Sequence, residues 1–188
     1  MWWRDFRQGW ALTRAARLAV VLAVAGLSAG CWQPLYGAHP GSEGVQDKFA
    51  AVDIRPITAP KGTPTERVAV GMYNALQLDL HNGGSPAPTV YVLKVSVAST
   101  QYTAYIDPIS GRPDTQIQLV VAYYQLAELA TGKMVVVDSA IARVDYDIPG
   151  SQQRFAGQRA RRDAEDRAVQ VAADAIRNRL ASYFVAGT

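Results

Sequence analysis

The chain has 188 residues, 49% hydrophobic and 19% charged, the composition of a globular protein with room for one domain and accessory segments. Its formal charge of +3 belongs to residues 1–30, where Arg4, Arg7, Arg14 and Arg17 stand against Asp5; residues 31–188 hold 15 basic and 15 acidic side chains. A neutral remainder lacks the clustered positive excess that nucleic-acid binding requires, so nucleic acid is excluded as a partner.

The four arginines precede a run of small and aliphatic residues from Leu18 to Gly30. As a helix this run reaches only about 20 Å, short of the ~30 Å hydrocarbon core, so residues 1–30 read as a cleaved targeting segment. The sole cysteine, Cys31, follows directly after Leu27-Ser28-Ala29-Gly30. Small residues suit a peptidase site, and a thiol at a new N-terminus can carry a thioether-linked lipid. The segment resembles the lipobox of bacterial lipoproteins, with Ser28 where Leu is usual and Leu27 one step earlier. The competing reading is an ordinary signal peptide with a chance cysteine, or a buried free thiol. The resemblance implies lipidation at Cys31, an anchor of two or more acyl chains that holds stably to a membrane, and no other cofactor. Trp32 rather than Asp follows Cys31, which by resemblance to bacterial sorting signals implies the outer membrane, periplasmic face.

Residues 31–48 carry Pro34, Gly37, Pro40, Gly41 and Gly44 without periodicity and predict a flexible tether ahead of a domain over 49–188. Ala51 to Ile57 reads as a first strand, with Pro56 at its end. Thr63-Pro64-Thr65-Glu66 is a helix start, with Thr63 as cap and Glu66 placed for a capping box. Val68, Met72, Leu76 and Leu80 recur every four residues as one apolar face, and Asn82-Gly83-Gly84 ends the helix. Thr89 to about Ile106 reads as a long strand, Leu93, Val95 and Val97 alternating with Lys94 and Ser96; its parity drifts near Ser99-Thr100, which predicts a bulge there. After a loop at 107–114, Ile117, Leu119, Val121 and Tyr123 alternate with Gln116 and Gln118. Thr131-Gly132-Lys133 is a hairpin turn, and a last strand runs from Met134 to about Tyr146. Ser151 to Phe184 reads as a long helix with Ala164, Ala168, Ala172, Ile176 and Leu180 at four-residue spacing, Val169 and Tyr183 flanking. The predicted class is α+β: two helices packed on a four-stranded, mostly antiparallel sheet in the order β-α-β-β-β-α.

Residues suited to chemistry are sparse. His39 falls in the tether and His81 near a helix end, both read as exposed, and no spacing resembles a zinc or other metal site. Asp107 and Asp114 share a loop and Asp145 and Asp147 a strand end; solvated loop charge accounts for them. No nucleophile elbow, phosphate loop or dinucleotide fingerprint occurs, so the chain reads as no enzyme. Two basic features remain. Arg154, Arg159, Arg161, Arg162 and Arg167 crowd the start of the last helix, and Arg112 sits on the loop between strands. Guanidinium suits phosphate by bidentate bonding; a solvated helix face is the alternative. Tyr102, Tyr105, Tyr123 and Tyr124 form an aromatic group that serves either packing or a partner.

Cys31-Trp32-Gln33-Pro34-Leu35-Tyr36-Gly37, the element order and the length together resemble the LptE family of lipopolysaccharide-assembly lipoproteins, in its alphaproteobacterial form, over residues 31–184. The resemblance implies two helices on a four-stranded sheet, seating inside the lumen of an LptD-type outer-membrane barrel, assistance in assembling that barrel, and help in delivering lipopolysaccharide to the outer leaflet. By position it implies lipopolysaccharide contact at Arg112 on the central loop and at Arg159, Arg161 or Arg162 on the last helix. An auxiliary lipoprotein of an ABC-type lipid transporter is the alternative role. Labelled palmitate fed to cells should enter the wild-type chain and be absent from Cys31→Ala; equal labelling of both would remove the anchor.

Overall fold

The computed structural model describes residues 44–82, 87–109, 111, 113–148 and 154–187, which lie within one compact unit spanning 38–188. The targeting segment 1–30, Cys31 and most of the expected tether fall outside the described residues. The elements are α1 (Val45–Ala50), β1 (Val52–Ile54), α2 (Pro64–His81), β2 (Tyr91–Ile106), β3 (Pro113–Glu128), β4 (Met134–Asp147) and α3 (Arg154–Ala186). The sheet has the order β1-β2-β3-β4, with β1 parallel to β2 and the other pairs antiparallel. The expected α+β class therefore forms, with helices packed against a four-stranded mixed sheet.

The helix α1 occupies the last residues of the stretch expected to be a tether. Val45 and Phe49, four apart, share one face and are buried. A helix of six residues is too short for its period to stand out beside glycines. It is pinned from outside, since Gln46 Nε2 donates to Leu80 O at 3.1 Å and Lys48 Nζ to Phe184 O at 2.9 Å. Strand β1 is shorter than expected. Its ladder closes with Arg55 N–H donating to Leu93 O at 2.9 Å, and Pro56 brings no further donor.

Helix α2 starts as its sequence requires. Thr63 Oγ1 accepts from Glu66 N–H at 3.3 Å, while Glu66 Oε2 accepts from Gly62 N–H at 2.6 Å, one residue before the cap. Asn82 ends the helix in the left-handed region at φ 48°; its short polar side chain tolerates that conformation better than most. His81 is not an exposed bystander. Nε2 bonds Val52 O at 2.9 Å and Nδ1 bonds Gln77 Oε1 at 2.7 Å, fastening the last turn of α2 to β1.

The β2–β3 register runs unbroken from Tyr91 opposite Glu128 to Thr103 opposite Gln116, then shifts between Thr103 and Tyr105 and again before Ile106. The bulge expected at Ser99-Thr100 is absent. Ser99 and Gln101 stay in phase because they bond the buried Gln118: Gln118 Nε2 donates to Ser99 Oγ at 2.8 Å, and Gln101 Nε2 donates to Gln118 Oε1 at 3.0 Å. The drift in the sequence is a change from apolar to polar side chains on one face, with no change of register.

Helix α2 buries Val68, Ala69, Met72, Leu76 and Leu80, and α3 buries Ala164, Ala168, Val169, Ala172, Ile176 and Leu180. Tyr183, expected beside them, is half-buried, and Phe184 fills the core instead, its ring 5.7 Å from Phe49 and 5.2 Å from Tyr91. Beneath α3 the sheet offers small side chains, Ala122, Ala140 and Ala142, all buried. The helices run side by side in parallel. Arg67 meets Glu165, and a Cβ added to Gly71 would lie 3.7 Å from Val169 Cγ1. Ala172→Leu, at a fully buried position of α3, should overfill the core and cost about 1–3 kcal/mol. Ala175→Leu, on the exposed side of the same helix, should stay within about 0.5 kcal/mol. Urea unfolding of both variants checks the difference.

Candidate functional site

Both helices lie on one face of the sheet, and side-chain parity sends alternate residues to the other. On β3, Gln118, Val120, Ala122, Tyr124 and Leu126 point to the helices and are buried. The row Ile117, Leu119, Val121 and Tyr123, an apolar alternation that the sequence offered as a core face, stands instead on the open side. A strand apolar on both faces does not declare by period alone which row is inside; the row that α3 covers is the inner one.

Register places neighbours around this row. Val121 lies between Ala98 on β2 and Ile141 on β4, Tyr123 between Ser96 and Ser139, and Leu119 between Thr100 and Arg143. Tyr123, Val137 and Ile141 are each more than half exposed. The result is an apolar strip along the central strand, rimmed by Lys94, Thr100, Gln125, Arg143 and Asp145. At one end Lys94, Ser96, Tyr123, Gln125, Val137 and Ser139 bound an open depression of ≈ 420 Å³.

The arginines at the start of α3 divide into two groups. Arg161 is committed: its Nε donates to Glu165 Oε1 at 2.9 Å, and Arg67 of α2 pairs with the other carboxylate oxygen. Glu165 is only 2% exposed, a buried carboxylate held by two guanidiniums. Arg159 and Arg162 face solvent. Pro64, Arg67, Gln158, Arg161, Arg162 and Glu165 border a second depression of ≈ 260 Å³. Arg67 was missed by sequence reasoning, because only helix packing brings it beside a residue 98 positions later. Arg112 and Cys31 lie outside the described residues. The loop that carries Arg112 turns at the end of the sheet where β4 finishes, Thr115 being opposite Asp147. Among the described residues no group of three or more His, Cys, Asp or Glu side chains could hold a metal ion, and no helix is long and apolar enough to cross a membrane.

No family model and no curated relative matches the chain. Solved structures do match. A lipoprotein from Caulobacter crescentus superposes with a TM-score of 0.57 at 18% identity, over 76% of this chain and 96% of that chain. The rare lipoprotein B of Shewanella oneidensis gives 0.50 at 19% identity, over 71% of this chain and 96% of that chain. The fold is one that bacterial lipoproteins use. At such identities the likeness is one of fold.

Under the sheet, burial and then the Asp138 carboxylate push the Tyr124 hydroxyl up to about 12, opposed by Arg179, which pairs with Asp138 at 3.4 Å. A proton held more tightly in the folded state than at the ordinary value of 10 contributes stability below pH 10 and loses it as pH rises toward 12. The stability of wild type relative to Tyr124→Phe should therefore fall by about 2–3 kcal/mol between pH 10 and 12. Denaturant titrations of the two chains at each pH measure this difference.

Proposed function

We propose that this chain is an outer-membrane lipoprotein of the periplasmic face, moored through a lipidated Cys31, which plugs an LptD-type barrel, helps it assemble and assists delivery of lipopolysaccharide to the outer leaflet. The observation that supports this reading is the one-sided sheet: among the described residues one of its two faces is uncovered, with an apolar strip and a polar rim. A closed barrel has all its strand edges paired and presents only inward side chains, which are largely polar. A plug must therefore meet it with side chains of mixed character over an extended surface, which an uncovered sheet face supplies.

Arg159 and Arg162 stand ready for phosphate groups of the lipid, and Arg112 joins them on the family resemblance alone. Arg161 contributes through the depression it shares with Arg67 and Glu165. The role needs no nucleophile or metal, and the lipid at Cys31 is the one covalent group it requires.

In mild detergent the tagged chain should bring down a large outer-membrane barrel. Val121→Glu with Ile141→Glu, both on the open face, should lower barrel recovery at least about tenfold, as burying unpaired charge in an interface does, with the circular-dichroism spectrum unchanged. Recovery of the wild-type chain as a lone species in every preparation overturns the reading.

A further inference from the structure

Glu165 is the buried point at which α2 and α3 bring guanidiniums together. Its side chain is 3% exposed, while those of Arg67 and Arg161 are 43% and 39% exposed. One guanidinium in a two-bond fork satisfies both oxygens of a carboxylate. Glu165 divides its oxygens instead: Oε1 accepts from Arg161 Nε at 2.9 Å, and Oε2 pairs with Arg67 Nη2. Each arginine carries five N–H donors, so both have more to offer than the carboxylate takes. They border the open depression that Pro64, Gln158 and Arg162 complete.

The lining is strongly unbalanced in charge. Arg162 is exposed, and no carboxylate among the described residues pairs with it. Glu165 is the one acid of the lining among the described residues, so three guanidiniums against one carboxylate leave two positive charges. Glu66 and Asp163, close in sequence, are engaged elsewhere, by Gly62 N–H and by Arg167. Helix α2 opens at Pro64 and adds the positive end of its dipole.

We infer that this depression captures a phosphate monoester. A monoester carries about −1.5 to −2 charge at pH 7 and three terminal oxygens, which matches the excess charge and gives one oxygen to each guanidinium. A carboxylate brings one charge and two oxygens and would duplicate what Glu165 already supplies. The volume of ≈ 260 Å³ is below the ~300–1,000 Å³ of pockets that enclose a whole small molecule, so the phosphate enters as the end of a larger body that stays outside. Glu165 is a positioning residue: it holds two like-charged forks side by side before the anion arrives, which removes an ordering cost from binding. Arg67 separates this arrangement from a loose basic helix face, because it reaches the site from the other helix. Capture of the group is a property of the folded domain; that the monoester belongs to a lipid rests on the function proposed above.

The test is calorimetric titration of the full chain, purified in neutral detergent, with inorganic phosphate and with acetate. Saturable phosphate binding is expected, at least about tenfold tighter than acetate. Arg162→Gln removes an exposed, unpaired side chain and should weaken phosphate about tenfold. Arg67→Gln with Glu165→Gln keeps the net charge and replaces the ion pair by two amides; it should weaken phosphate at least about tenfold with the circular-dichroism spectrum unchanged. If that double variant fails to fold, Arg162→Gln decides. Arg55→Gln, exposed beyond β1 and outside the depression, should stay within about twofold of wild type. Micelles doped with phosphatidic acid, a monoester, or with phosphatidylglycerol, a diester, separate the sources. Preference for the first supports a lipid headgroup. Phosphate binding without that preference supports the site with a soluble ester and takes this contact from the lipid-delivery role, which barrel recovery by Arg162→Gln examines separately. No saturation by inorganic phosphate up to about 10 mM, or affinity unchanged in Arg162→Gln or in a folded double variant, overturns the proposal.

Discussion

Alanines on α3 rest on alanines of the sheet, Ala164, Ala168 and Ala172 against a surface that includes Ala122, Ala140 and Ala142, and this contact between small side chains governs the rest of the molecule. A long helix comes this close to a pleated surface only where both give up volume, and close packing is what makes each buried methyl group count. The bulk not spent there is found elsewhere: Phe49, Tyr91 and Phe184 gather where α1, β2 and α3 meet, and the branched side chains of β3 that α3 leaves aside stand on the open face. One-sidedness is thus a packing result before it is a functional one.

Polar groups set the register of these layers. Glu165 is buried between Arg67 and Arg161, and Gln118 is buried with Ser99 and Gln101. Such groups add little net stability, because desolvation offsets most of what the bonds supply, but a sliding helix would strand one of them without a partner at a cost of several kcal/mol. Further along the same seam, burial first and Asp174 second hold the Asp79 carboxyl above its ordinary range, with Arg177 opposing. Apolar contacts give α2 and α3 their adhesion, while these paired groups make one alignment distinct from its neighbours.

Much of the fold was legible in the sequence. The four-residue spacing of Val68, Met72, Leu76 and Leu80, and of the alanines of α3, reports burial directly because a helix has one inner stripe. Thr63 and Asn82 bracket α2 by chemistry that acts locally. Other features were not legible because they depend on distant residues. Helix α1 owes its existence to Leu80 and Phe184, which its own six residues cannot reveal. The inner row of β3 was decided by α3, since both rows are apolar. A bulge was expected from polarity that proved to be the Gln118 network, and the true register shift lies a few residues later, where no packing constrains β2. Of the site, the basic start of α3 and the i,i+4 spacing of Arg161 and Glu165 could be read, but the arrival of Arg67 from α2 and the burial of Glu165 could not.

Lys48 binds the carbonyl of Phe184, so the chain joins the domain beside the last turn of α3, while the loop holding Ile109, 95% exposed, turns at the opposite extremity, where α3 begins. Between them runs one helix of 33 residues, about 50 Å of continuous rod. The domain therefore sets residue 44 and Ile109 at opposite ends of a span on the order of the length of α3.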